Sequence, residues 1–287
     1  MMNAKIKDLH DAYILGVINR REFIKQLTVL AGSTAAAYAM LPLLETHVAR
    51  AEMVSGNDPR LSTDRIQYPG ATGLVQGYLA RPKQDAKWPG VVVIHENRGL
   101  NPHIEDVTRR VALEGFLALA PDALSPLGGT PQDPDQARTM INSLDMASTI
   151  DNFTAAVRYL KTQARSTGKV GVVGFCWGGA MTNQVAVKSA EVTAAVPYYG
   201  RQPADEDVPK IKASLLLHYA GLDDRINAGI PAFESALKKA SVDYSIYMYE
   251  GAKHAFNNDT NAERYHKEAA ELAWKRTMLF FNKTLKE

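Results

Sequence analysis

Apolar residues along the chain fall into short continuous runs separated by stretches of helical period. Gly90-Val91-Val92-Val93-Ile94-His95 and Val170-Gly171-Val172-Val173-Gly174-Phe175 carry apolar side chains at successive positions, the pattern of strands covered on both faces in a parallel sheet. Residues 116–121, 194–200, 214–220 and 244–249 read as further strands. Ile66-Gln67-Tyr68 and the alternating run 74–80, ended by Arg81-Pro82, predict an edge hairpin. Helical spacing places Val107, Val111 and Leu113 on one side, returns from about Gln136, and strengthens over 150–162. It is repeated at 229–240 and in a closing helix at 262–285 with Leu272, Met278 and Phe281. Residues 122–135, rich in Pro, Gly and Asp, predict a long loop. Strands alternating with helices predict an α/β fold, a mostly parallel central sheet with helices on both faces, whose ligands bind outside the carboxyl ends of the strands.

One strand of this series ends in an unusual way. Gly174-Phe175-Cys176-Trp177-Gly178-Gly179 follows the run 170–175, and helical sequence begins at Ala180. The chain must turn sharply at Cys176, the geometry of a Gly-x-nucleophile-x-Gly elbow, with a cysteine where serine is usual. Cys176 is the only cysteine, so an internal disulfide is excluded, and its uses narrow to packing or chemistry.

Composition removes several classes of partner. Lys and Arg number 33 against 31 Asp and Glu, interspersed rather than blocked, which gives no footprint for nucleic acid or an anionic membrane and points to a small-molecule partner. No Cys/His spacing matches a zinc site, and no cofactor is implied. Residues 1–51 read as a leader distinct from a single domain at 52–287. Asn19-Arg20-Arg21-Glu22-Phe23-Ile24-Lys25 precedes an uncharged stretch at 27–44, the order of a twin-arginine (Tat) export signal, and Val48-Ala49-Arg50-Ala51 offers an Ala-x-Ala-like cleavage point. The stretch is marginal against the roughly 20 apolar residues a membrane span needs, and Pro42 weakens it further. Periplasmic delivery by the Tat machinery is expected, with an ordered amino-terminal helix on a cytoplasmic protein as the alternative.

Two later residues suit Cys176. Asp223 follows the strand at 214–220 after Gly221-Leu222, and His254 follows the strand at 244–249 after Glu250-Gly251-Ala252-Lys253. Both then lie at the carboxyl edge that carries Cys176, in the order nucleophile, acid, base. His254 would take the thiol proton and later activate water, while the carboxylate fixes its tautomer. Asp224 is a rival acid; Asp223 is preferred because Asp-x-x-Ile puts Ile226 where it can bury and anchor the loop. In His95-Glu96-Asn97-Arg98-Gly99, the backbone N–H of Asn97 is the expected partner of the Trp177 N–H in an oxyanion hole. Glu96 reads either as an ion-pair partner of Arg98 or as a carboxylate aimed at the thiol.

These four segments, His95-Glu96-Asn97-Arg98-Gly99-Leu100, Gly174 to Gly179, Gly221-Leu222-Asp223 and Gly251-Ala252-Lys253-His254-Ala255-Phe256, together resemble the dienelactone hydrolase (carboxymethylenebutenolidase) family over about residues 65–285. The resemblance implies an α/β-hydrolase fold, a triad of Cys176, Asp223 and His254, opening of an unsaturated lactone, and a role for Glu96 in accepting the thiol proton once substrate arrives. Such gating would protect a resting thiol from oxidation. Family members carry an arginine shortly after the histidine, whereas this chain continues Ala255-Phe256-Asn257-Asn258. Arg98 is left as the candidate substrate-binding and Glu96-pairing cation. The expected activity is hydrolysis of a small lactone or ester through a thioester on Cys176. The alternatives are a broader carboxylesterase or thioesterase on the same residues, and an exported binding protein with an inactive hydrolase fold.

Overall fold

A computed structural model describes residues 20–34, 36–38 and 54–287, with a few isolated positions before residue 20. Eight strands form one sheet: β1 (Leu61–Gly70), β2 (Gly73–Pro82), β3 (Trp88–Ile94), β4 (Leu117–Pro121), β5 (Ser166–Phe175), β6 (Ala194–Tyr198), β7 (Ser214–Leu222) and β8 (Tyr244–Lys253), in spatial order β1-β2-β4-β3-β5-β6-β7-β8. The β1–β2 hairpin is antiparallel and meets β4 antiparallel. From β4 to β8 every pairing is parallel. The chain passes from β3 to β4 on one side and returns to place β5 on the other. The carboxyl ends of β3 and β5 therefore flank the point where strand order reverses, where such sheets open a crevice.

Among the described residues the α-helices are α1 (Arg20–Ala31), α2 (Pro102–Leu113), α3 (Pro134–Asn142), α4 (Met146–Thr162), α5 (Trp177–Lys188), α6 (Ile230–Ala240) and α7 (Lys267–Phe281), with a single helical turn at Asp224–Asn227 and short helical segments at Asp205–Lys210 and Asn282–Lys286. The central strands alternate their side chains between two cores. Val91 and Val93 of β3 join Val107 and Val111 of α2 and Phe281 of α7 on one face. Val92 and Ile94 join Phe153 and Val157 of α4, Val185 of α5 and Leu237 of α6 on the other. Burial on both faces is why these strands read as unbroken apolar runs.

Several boundaries differ from the sequence expectation. Helix α5 begins at Trp177, three residues before Ala180, because Gly178 and Gly179 sit in its first turn as points of close approach. Strand β8 continues to Lys253, so the expected connecting loop at 250–253 is strand. Helix α7 starts at Lys267, where the His266 ring accepts from Ala269 N–H as its cap, and the preceding residues 258–265 are turns. The 122–135 segment holds a 3-10 turn at Ser125–Leu127, and α3 opens at Pro134 with Asp133 as its cap.

Phe23 and Leu27 of α1 are buried with Ile6, Leu9 and Ala37 in a small cluster separate from the two sheet cores. The Ala-x-Ala-like point at 48–51 lies outside the described residues. Among the described residues no helix is long and apolar enough to cross a membrane.

Candidate active site

Cys176 occupies the turn between β5 and α5 with φ 56° and ψ −113°, a conformation costly for a residue with a Cβ, on the order of 1–3 kcal/mol. Its neighbours make that turn possible. A Cβ on Gly174 would stand 2.2 Å from the carbonyl oxygen of Gly178, and one on Gly178 would stand 2.4 Å from the carbonyls of Ile94 and His95. Only glycine lets α5 start against the ends of β5 and β3. The Cys176 N–H is held by the Tyr198 carbonyl at 3.1 Å.

The structure brings the three sequence-expected residues together. Cys176 Sγ lies 3.0 Å from His254 Nε2, and His254 Nδ1 lies 2.5 Å from Asp223 Oδ2. An aspartate accepts here, so Nδ1 carries the proton and Nε2 faces the thiol as an acceptor. Asp223 and His254 directly follow β7 and β8. Asp224 is exposed, and Ile226 is buried beneath the same turn, which fixes the choice between the adjacent carboxylates.

Burial, first, and the Glu96 carboxylate, second, push the Cys176 thiol up to about 11; the Trp177 N–H and the charges of Arg225 and Arg264 oppose them. A neutral thiol is therefore the resting form near neutral pH. Glu96 is buried, with Oε2 accepting from Asn258 Nδ2 at 2.7 Å and Oε1 without a hydrogen-bond partner. The expected Arg98 pairing is absent: Arg98 Nη1 donates to the Pro134 carbonyl at 2.6 Å and to Asp135 at 2.7 Å. Arg98 reaches along the loop to the first turn of α3, where the Pro134 carbonyl and the Asp135 carboxylate hold its guanidinium away from Glu96. The partner of Glu96 is the amide that stands where the family resemblance led to an expected arginine.

The backbone N–H groups of Asn97 and Trp177 are both available. Among the described residues neither donates to another backbone carbonyl or side-chain oxygen, and that of Trp177 is at the start of α5, facing the sulfur. Tyr199, which sequence reasoning missed, follows β6 with φ 39°, its ring 5.1 Å from the His254 ring and its hydroxyl buried. Its only sequence signal was its place at a strand's carboxyl end. A cavity of about 450 Å³ is lined by Asp223 and His254 together with Leu222, Arg225, Lys253 and Arg264. Cys176 is not in its lining, so the cationic cavity adjoins the thiol rather than enclosing it. Among the described residues no group of three or more His, Cys, Asp or Glu is arranged to hold a metal ion.

Sequence and structure comparisons converge on one family. The dienelactone hydrolase family profile matches residues 75–285. A provisionally named carboxymethylenebutenolidase of Methylorubrum extorquens is 30% identical over 273 residues, 90% of this chain and 92% of that protein. One of Escherichia coli O157:H7 is 34% identical over 220 residues, 71% and 80% of the two chains. Among solved structures, a provisionally named dienelactone hydrolase from Klebsiella pneumoniae superposes with TM-score 0.70 at 27% identity, covering 78% of this chain and 99% of its own. The dienelactone hydrolase-like promiscuous phosphotriesterase P91, from metagenomic libraries, gives 0.71 at 25%, covering 78% and 99%. With the elbow, the parallel sheet and the profile match in agreement, the chain belongs to the dienelactone hydrolase family.

Proposed function

We propose that this hydrolase cleaves a small ester or lactone through a thioester on Cys176. The observation that carries the reading is the unbroken contact from Sγ through the imidazole to the Asp223 carboxylate. The thiol proton passes to His254 Nε2 as sulfur attacks the carbonyl carbon, and the N–H groups of Asn97 and Trp177 hold the oxyanion. Collapse breaks the ester C–O bond, and the leaving oxygen takes the proton from His254. Water, deprotonated by the same imidazole, then attacks the thioester; the acid departs and sulfur recovers its proton. Asp223 keeps the imidazole in the required tautomer and stabilises its cation. Glu96 holds the resting thiol neutral by charge and, through its unpartnered oxygen, receives the thiol proton first when substrate disturbs the site, handing it on to His254 Nε2, which then protonates the leaving oxygen.

Arg225, Arg264 and Lys253 beside the triad support a substrate with a carboxylate remote from the reacting carbonyl. The neutral amide of Asn258 on Glu96 favours a second reading, a broader carboxylesterase, because release of Glu96 then needs no competing anion. A dienelactone, a neutral aryl ester and an acyl thioester, assayed with the wild type and with Cys176→Ala, separate these. The proposal expects no turnover by the variant and a higher kcat/KM for the anionic lactone; comparable values across the panel favour the broader esterase, and turnover by Cys176→Ala overturns the thioester route.

Residues 1–51 are proposed to be a Tat leader and 52–287 the hydrolase domain, delivered to the periplasm. Changing Arg20 and Arg21 to Lys is expected to leave precursor in the cytoplasm; unchanged distribution would remove the export proposal.

A further inference from the structure

His95, just past the end of β3, is fully buried, and its ring touches the Glu96 carbonyl, which shares a peptide group with the Asn97 N–H, and the Trp177 indole. Its Nε2 lies 3.2 Å from the backbone nitrogen of Ala123, and its Nδ1 lies 2.6 Å from the carbonyl oxygen of Glu96. A backbone N–H can only donate, so Nε2 accepts; the ring proton is then on Nδ1 and is donated to Glu96. The same ring stacks on the Trp177 indole, with centroids 5.4 Å apart and planes 14° apart, and Phe153 meets both edge-on.

The consequence follows from the planarity of the peptide group. The carbonyl of Glu96 and the N–H of Asn97 belong to one trans unit and point in opposite directions. Holding the carbonyl against the imidazole turns the Asn97 N–H the other way, where no described group accepts from it. The anchor of this arrangement is itself fixed: the carboxylate of Asp122 accepts from Leu124 N–H at 2.9 Å and from Thr130 N–H and hydroxyl at 2.8 Å, which locks the turn that presents Ala123. The elbow helix presses on the same place, since Gly178 abuts the His95 carbonyl.

We propose that His95 is a positioning residue for the oxyanion hole: by accepting from Ala123 and donating to Glu96 it orients the Asn97 peptide, and by stacking it seats Trp177. The inference rests on the thioester reading above. Burial holds the imidazole's pKa below its ordinary value, so the neutral tautomer required persists through the working pH range.

The test compares His95→Leu with His95→Gln. Glutamine keeps one acceptor and one donor on a side chain of similar reach, whereas leucine keeps neither. Leucine is expected to lower kcat by roughly 10- to 100-fold, the scale of a displacement of about 1 Å at a reacting centre, with KM within about twofold. Affinity for an aryl trifluoromethyl ketone, which forms an oxyanion on the thiol, should fall in parallel. Alkylation of Cys176 by iodoacetamide, which forms none, should change far less than kcat, by no more than the modest contribution of the Trp177 N–H to the thiol. Glutamine should recover kcat to within about fivefold of wild type, the remainder being lost stacking on Trp177. The proposal is overturned if the folded leucine variant turns over at the wild-type rate, if glutamine is no better than leucine, or if alkylation falls in step with kcat. Should leucine not fold, the contrast is read between Gln and Asn, since asparagine is too short to span Ala123 and Glu96. Failure of the thioester reading would show separately, as turnover by Cys176→Ala.

Discussion

Replacing Glu96 with Gln is expected to move two readouts in opposite directions. Burial is the first cause of the raised thiol pKa and the Glu96 charge the second, together taking it from 9.0 to about 11 against smaller opposing contributions. At about pH 7.5 that leaves roughly one thiolate in 3,000 molecules, against about one in 30 for a thiol at 9.0. The Glu96 charge is the lesser of the two upward causes; each unit by which its neutralisation lowers the thiol is roughly 1.4 kcal/mol and about tenfold in thiolate population. A less basic thiolate is also a weaker nucleophile, so the midpoint of the alkylation pH profile should fall while the observed rate rises only about three- to fourfold for each unit of that fall. Glutamine retains an acceptor for Asn258, which keeps the side chain in place. Ester turnover should nonetheless fall on the order of 100-fold, the usual scale for loss of a positioned acid–base group. Iodoacetamide labelling followed across pH, beside steady-state turnover of an aryl ester, reads both. A labelling midpoint that stays put or rises would refute the charge assignment; a variant that labels faster and turns over normally would remove Glu96 from the chemistry.

Two further outcomes follow from the structure. Gly174→Ala would put a methyl carbon about 2.2 Å from the Gly178 carbonyl oxygen, with no flexible side chain to yield; a loss of roughly 3 kcal/mol or more in urea denaturation is expected, and a melt like wild type would contradict the packing described. Asp259, next to Asn258, is drawn upward by burial but held at about 2 by His103 at 3.1 Å and Arg110 at 2.5 Å. A carboxylate whose pKa is depressed on folding stabilises the protein above its unfolded value and loses that contribution as pH falls. Asp259→Asn should therefore be less stable than wild type near pH 6, with the gap narrowing between about pH 4 and pH 2; a gap independent of pH would show that the lost contacts are not ionic.

Much of this was legible in the chain itself, for identifiable reasons. Strands buried on both faces have no polar positions to confuse their reading, so β3 and β5 were apparent, and with them the bend at Cys176. That Asp223 and His254 would meet Cys176 could be read because each follows a parallel strand, and the topology places all parallel carboxyl ends on one edge. Helix starts were less legible: the Gly178-Gly179 pair suggests a delayed start to α5, when the glycines are there to let α5 approach β3. Glu263, Arg264 and Lys267 are equally good helix formers, and only the cap at His266 separates turn from helix. Side-chain partners across long separations were not legible at all. Glu96 and Asn258 are 162 positions apart, and nothing in either segment's composition says that an amide would take the contact. Arg98 beside Glu96 suggested a local ion pair, and the pull of Asp135 at the start of α3 could be seen only in three dimensions. The role inferred for His95 depends on a tautomer set by Ala123, a constraint no sequence pattern carries.

The most direct measurement is acid quenching of the enzyme during turnover of an acyl ester, followed by peptide mass spectrometry. The account expects the acyl group on the peptide containing Cys176, in an amount that rises to a steady level before product release becomes linear, and its disappearance when excess substrate is removed. An unmodified Cys176 throughout a productive reaction, or the acyl group found stably on another side chain whose loss abolishes turnover, would contradict it.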